Sequence, residues 1–159
     1  MSRQGMRRGT ALRAALAGLG LGVAGLAWAQ GAPIQTQETN TAGVMAELTE
    51  CRRSEGVLNI RMRLRNTGEA KVGFYPIDGR NYDSYYVVAA GKKYFVLRDS
   101  EKEPLAPAAG GGGSIYANLP KGGTFLWWAK YPAPPADIKK ITYVTPLGAP
   151  FENVPVSDQ

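Results

Sequence analysis

The chain has 159 residues, a formal charge of +6, 44% hydrophobic and 9% aromatic residues. That length fits one domain. Histidine is absent and Cys51 is the only cysteine. These counts exclude a Ser-His-Asp triad, a Cys-His pair, a histidine-built zinc or copper site and an intramolecular disulfide.

The first 29 residues carry Arg3, Arg7, Arg8 and Arg13 and no acid. Without them 15 basic residues face 13 acidic ones, a net charge of only +2. Residues 1–29 read as an export signal: a positive start, an apolar stretch from Ala14 to Leu26, and Ala27-Trp28-Ala29 as a small-x-small cleavage pattern. The apolar run is shorter than the about 20 residues of a bilayer span, so no stable span is expected after cleavage. No cysteine follows it to carry a lipid anchor. Arg7-Arg8 lacks the bulky apolar residues that a twin-arginine signal places next, so ordinary unfolded export is expected. The expected location is periplasmic or extracellular. Export and the modest charge of the remainder argue against nucleic acid as a partner.

Residues 30–43 are polar and predict a flexible leader. Residues 44–157 predict a chain of short strands. Val44 to Glu50 alternates apolar and polar residues. Cys51 follows, expected as a buried, inert thiol, since Glu50, Arg52 and Arg53 supply no base. Leu58, Ile60, Met62 and Leu64 then alternate with Asn59, Arg61, Arg63 and Arg65. A period of two puts the apolar set on one face and the arginines on the other. Val72 to Ile77 predicts an edge strand, because Pro76 cannot donate to a ladder. Tyr85 to Ala90 and Tyr94 to Leu97 flank a short hairpin loop. The four glycines from Gly110 to Gly113 form a loop. Further strands follow at 115–119, 124–131, 138–144 and 151–156, separated by Gly and Pro turns. Seven to nine short strands with frequent turns predict an antiparallel β-sandwich.

Several segments together carry a family resemblance. They are Arg65-Asn66-Thr67-Gly68 at a strand end, Lys93 to Ser100, Trp128-Ala129-Lys130-Tyr131-Pro132 with the prolines after it, Ile138 to Thr142, and Pro150 to Val156. The chain from Val44 to Val156 resembles small exported bacterial domains of immunoglobulin-like type. Domains of that kind occur alone or beside cell-envelope modules. The resemblance implies an immunoglobulin-like sandwich and no catalytic motif.

No catalytic residue and no cofactor is expected. Asp99, Glu101 and Glu103 offer oxygens at the spacing of a calcium loop, but Pro104 stands where glycine is needed. They define the alternative reading of a calcium-dependent binder or a carboxylate-dependent hydrolase. Gly110 to Ser114 lacks the lysine and following helix of a phosphate loop. Met45 and Met62 alone make a poor copper site. The main expectation is a non-enzymatic module that binds an envelope protein or an anionic polymer. Arg61, Arg63 and Arg65 form a basic row suited to an anionic partner. Tyrosine and tryptophan favour interfaces, which adds Tyr82, Tyr85, Tyr86 and Trp127, near Arg80, as a candidate contact surface. Alternation through Trp127-Trp128 predicts that one tryptophan is core and the other more exposed.

Overall fold

The computed structural model describes residues 32–158. The expected export signal lies outside the described residues. Eleven strands follow in chain order: β1 (Gln35–Glu38), β2 (Val44–Ser54), β3 (Val57–Asn66), β4 (Val72–Ile77), β5 (Tyr86–Ala89), β6 (Lys92–Phe95), β7 (Ile115–Leu119), β8 (Thr124–Pro132), β9 (Lys140–Val144), β10 (Phe151–Pro155) and β11 (Ser157–Asp158). Among the described residues the single helical element is a 3-10 turn at Tyr82–Ser84. No helix there is long and apolar enough to cross a membrane. The chain is an all-β antiparallel sandwich, with more strands than the seven to nine expected.

One sheet runs in the order β1-β2-β3-β8, with β11 also paired to β2. A second runs β10-β9-β5-β6, and β4 with β7 makes a two-stranded third. Every strand pair is antiparallel except β11 with β2. The alternation in β3 acts as expected. Leu58, Ile60, Met62 and Leu64 are fully buried, and each stabilises the fold by about 1.5–3 kcal/mol. Two tight turns set the register of the hairpins. Glu55-Gly56 joins β2 to β3 and Ala90-Gly91 joins β5 to β6, with both residues of each at positive φ. That is the two-residue turn whose twist matches the strands.

The leader is a correction. Of the expected leader, 30–43, the described part is not simply flexible, because β1 pairs with β2 from Gln35↔Leu48 to Glu38↔Met45. The Gln35 and Gln37 amides donate to the Glu152 and Pro150 carbonyls at 2.8 and 2.9 Å. A polar edge strand is held by hydrogen bonds, so hydrophobic patterning does not reveal it. The glycine loop is also tied down. Gly113 N–H donates to Gly110, and its carbonyl accepts from Arg80 N–H at 2.7 Å.

Cys51 is buried on β2, as expected. Burial pushes its thiol up to about 12 from an ordinary 9.0. At pH 8 it holds roughly a thousandfold less thiolate than an unperturbed thiol. Iodoacetamide should therefore leave the native chain unmodified and label it fully in denaturant. Rapid native labelling, read by mass spectrometry, would show that β2 opens.

Candidate functional site

A bulge between Leu48 and Glu50 organises the outer face of the β1-β2-β3-β8 sheet. Before it, Val44, Ala46 and Leu48 point to the core; after it, Cys51 and Arg53 are buried. One extra residue reverses the alternation, so Glu47 and Glu50 both fall beside the arginine row of β3. Glu47 lies opposite Arg63, and Glu50 opposite Arg61.

Glu47 is buried, and both its oxygens are taken. Arg63 pairs with Oε2, and Arg65 with Oε1 at 2.7 Å. Burial alone favours the neutral acid. The hydrogen bonds from Arg65 and Arg63, with their charges, outweigh it and hold the carboxyl below its ordinary value of 4.5. A depressed carboxyl stabilises the fold above its ordinary value, and that contribution is lost as pH falls through the folded value. Thermal stability should therefore fall below about pH 4.5. The Glu47→Gln variant should be about 1–3 kcal/mol less stable at pH 7 and flatter in acid. An unchanged acid profile in that variant would assign the loss to other carboxyls.

Arg61 is more open. It reaches Glu50 at 3.4 Å, and Glu50 is shared with Arg52 at the same distance. Across the next ladder, Arg61 faces Trp128, Arg63 faces Leu126 and Asn59 faces Lys130. Leu126 is 59% exposed and Trp128 is 40% exposed. Arg61, Leu126, Trp127 and Trp128 line an open depression of about 230 Å³. A smaller one of about 70 Å³ lies on the other side of Trp128, lined by Asn59, Arg61 and Lys130 among others. Arg52, Arg61, Arg63, Arg65 and Lys130 set five cations against Glu38, Glu47 and Glu50 on this face.

The other candidate residues separate. Trp127, Tyr85 and Tyr82 are buried, which overturns their place on a contact surface. The Trp127 ring stacks on Tyr85 at 3.9 Å, and Tyr82 lies at 6.4 Å. The 3-10 turn directs Tyr82 inward, where its hydroxyl donates to the Pro107 carbonyl at 2.7 Å. Tyr85 donates to the Pro76 carbonyl at 2.6 Å. Tyr86 is half-buried on β5 against Phe95, with Lys93 Nζ 4.4 Å above its ring. Arg80 is exposed in a turn, 3.4 Å from Glu103. Neither Tyr86 nor Arg80 belongs to the sheet that carries the arginine row. Trp128 and Leu126 are the face residues that sequence reasoning missed. Lys130, two positions after Trp128, is the signal that marks the outward side of β8.

The acidic turn is occupied by its own backbone. Asp99 Oδ1 accepts from the Glu101 and Glu103 N–H groups, both at 2.9 Å. Among the described residues no group of three acidic, histidine or cysteine side chains is placed to hold a metal. Comparison with family models, curated proteins and solved structures finds no match for this chain.

Proposed function

We propose that this chain is an exported, non-enzymatic cell-envelope module that binds an acidic protein or anionic polymer. The binding surface is the outer face of the β1-β2-β3-β8 sheet. The observation that carries this reading is the exposed Trp128–Arg61 cross-strand pair, extended by Leu126. An exposed aromatic beside arginine is the composition of an interface anchor. The cation excess selects an anionic partner and makes association weaken as salt rises. The resemblance to exported immunoglobulin-like domains supports the envelope location.

The test is crosslinking of the tagged full-length chain in its own host, beside a Trp128→Ala/Arg61→Glu variant. Truncating a hot-spot tryptophan or arginine costs about 2 kcal/mol or more, roughly thirtyfold in affinity. A specific envelope partner captured by the parent and lost from the variant is expected. Equal capture by both would overturn this placement of the surface.

A further inference from the structure

A second exposed aromatic feature lies on the β4–β7 pair. Tyr75 and Tyr116 are each 56% exposed, and their ring centroids are 4.9 Å apart at 49°. The bulge between Phe74 and Ile77 brings Tyr75 beside Tyr116. Gly73 lets the Tyr116 ring lie flat along the sheet. A Cβ at that position would collide with the Tyr116 hydroxyl.

The platform adjoins a cleft of about 190 Å³, lined by Tyr75, Asn40, Asp78, Asn81 and Ser84 among others. That volume is below the roughly 300–1,000 Å³ of pockets that enclose a whole ligand, so the cleft suits one unit of a longer chain. Its polar groups are amides, hydroxyls and a single carboxylate. The Asp78 carboxylate is engaged, accepting from Ser114 Oγ at 2.8 Å. The Asn40 amide N–H₂ donates to Pro146 at 3.1 Å, which leaves its carbonyl oxygen as an acceptor. The Asn81 side chain makes no capping hydrogen bond to the turn it precedes, while its backbone carbonyl accepts from Ser84 Oγ at 2.6 Å. No lysine or arginine lines the cleft.

We propose that Tyr75, Tyr116 and the Asn40–Asn81 cleft form a binding site for a neutral saccharide chain. A sugar ring has a polarised C–H face that packs on the electron-rich face of an aromatic ring. Its hydroxyls both donate and accept, and amides and hydroxyls answer both. An acidic chain would find no cation in this lining. The site uses none of the arginine-face residues, so it stands or falls independently of that surface.

The test is calorimetric titration of the full-length chain with neutral hexasaccharides: β-1,4-linked glucose, α-1,4-linked glucose and β-1,4-linked N-acetylglucosamine. Saturable binding of at least one is expected, weakened about tenfold or more by Tyr75→Ala. Gly73→Ala keeps both tyrosines but displaces Tyr116, and should weaken binding too. The Trp128→Ala/Arg61→Glu variant should bind as the parent does. Thermal unfolding of each variant checks that it folds. No binding of any hexasaccharide by the folded parent would overturn the proposal. So would full affinity in folded Tyr75→Ala, or binding lost only in the Trp128→Ala/Arg61→Glu variant.

Discussion

Replacing Trp127 by alanine should cost about 3–5 kcal/mol, whereas replacing its neighbour Trp128 should cost less than about 1 kcal/mol. Trp127 is fully buried, stacks on Tyr85, and donates its indole N–H to the Tyr143 hydroxyl at 2.8 Å. Tyr143 sits on β9 and also accepts from Tyr131 at 3.2 Å. One side chain of the first sheet therefore joins the second sheet by a hydrogen bond and the residue leading into β5 by a ring stack. Alanine leaves a cavity and removes one of the two donors to the Tyr143 hydroxyl. Native stability is typically about 5–15 kcal/mol, so the loss is a large share of the whole. For a domain of this size the melting temperature should drop by about 10–20 °C.

The measurement is thermal unfolding of both single variants beside the parent. Trp127→Phe separates the two contributions: it keeps most of the apolar volume and removes the indole donor. The lost hydrogen bond should cost about 0.5–1.5 kcal/mol, because Tyr131 still donates to the Tyr143 hydroxyl. Burial pushes the Tyr143 hydroxyl well above its ordinary pKa, so it stays neutral through the range studied. The Trp127–Tyr143 bond should then contribute equally at pH 6 and pH 9. Equal melting temperatures for Trp127→Ala and Trp128→Ala would mean that the two tryptophans are not divided between core and surface.

The sequence makes the sheet alternation legible wherever one strand has one wet face. From Leu58 to Arg65 in β3 the apolar and polar sets separate, and the burial follows them. Alternation also divides Trp127 from Trp128, but it does not say which is which. The outward residue is identified by Lys130 on its face and by the register against Arg61. Tyrosine composition misleads for a physical reason: a phenol suits a core once its hydroxyl finds a carbonyl. Tyr82 and Tyr85 find Pro107 and Pro76, far from them in pattern if not in sequence. The β2 bulge is invisible in the residues alone. Without it Glu47 and Glu50 would fall on opposite faces, and the arginine row would lose one of its two carboxylates. The polar β1 escapes for the same kind of reason, since ladder hydrogen bonds leave no hydrophobic signature.

Arg53→Met should cost about 1–3 kcal/mol or more, the scale of leaving backbone carbonyls of the 134–138 segment without their donor. The segment after β8 is Ala133-Pro134-Pro135-Ala136, and its prolines have no N–H with which to join a ladder. Its carbonyls still need donors. Arg53, buried at the end of β2, supplies them. Its guanidinium donates to Pro134 at 2.8 Å, to Pro135, and to Ala136 and Ile138 at 3.2 and 3.3 Å. Its Nε donates to Asp158 at 2.7 Å, which fixes β11 beside β2. Hydrogen bonds from Arg53 and Lys139 hold the Asp158 carboxyl down at about 2. That contribution is complete above its ordinary value near 3.8 and disappears as pH falls toward 2. Lysine cannot substitute, because a compact ammonium with three donors cannot serve five acceptors spread around a planar fork. Arg53→Lys should therefore recover less than half of the loss. Hydrogen exchange should localise the damage in both variants to residues 132–138 and to β11. Wild-type protection there in a folded Arg53→Met chain would show that the prolines hold this crossing without the guanidinium.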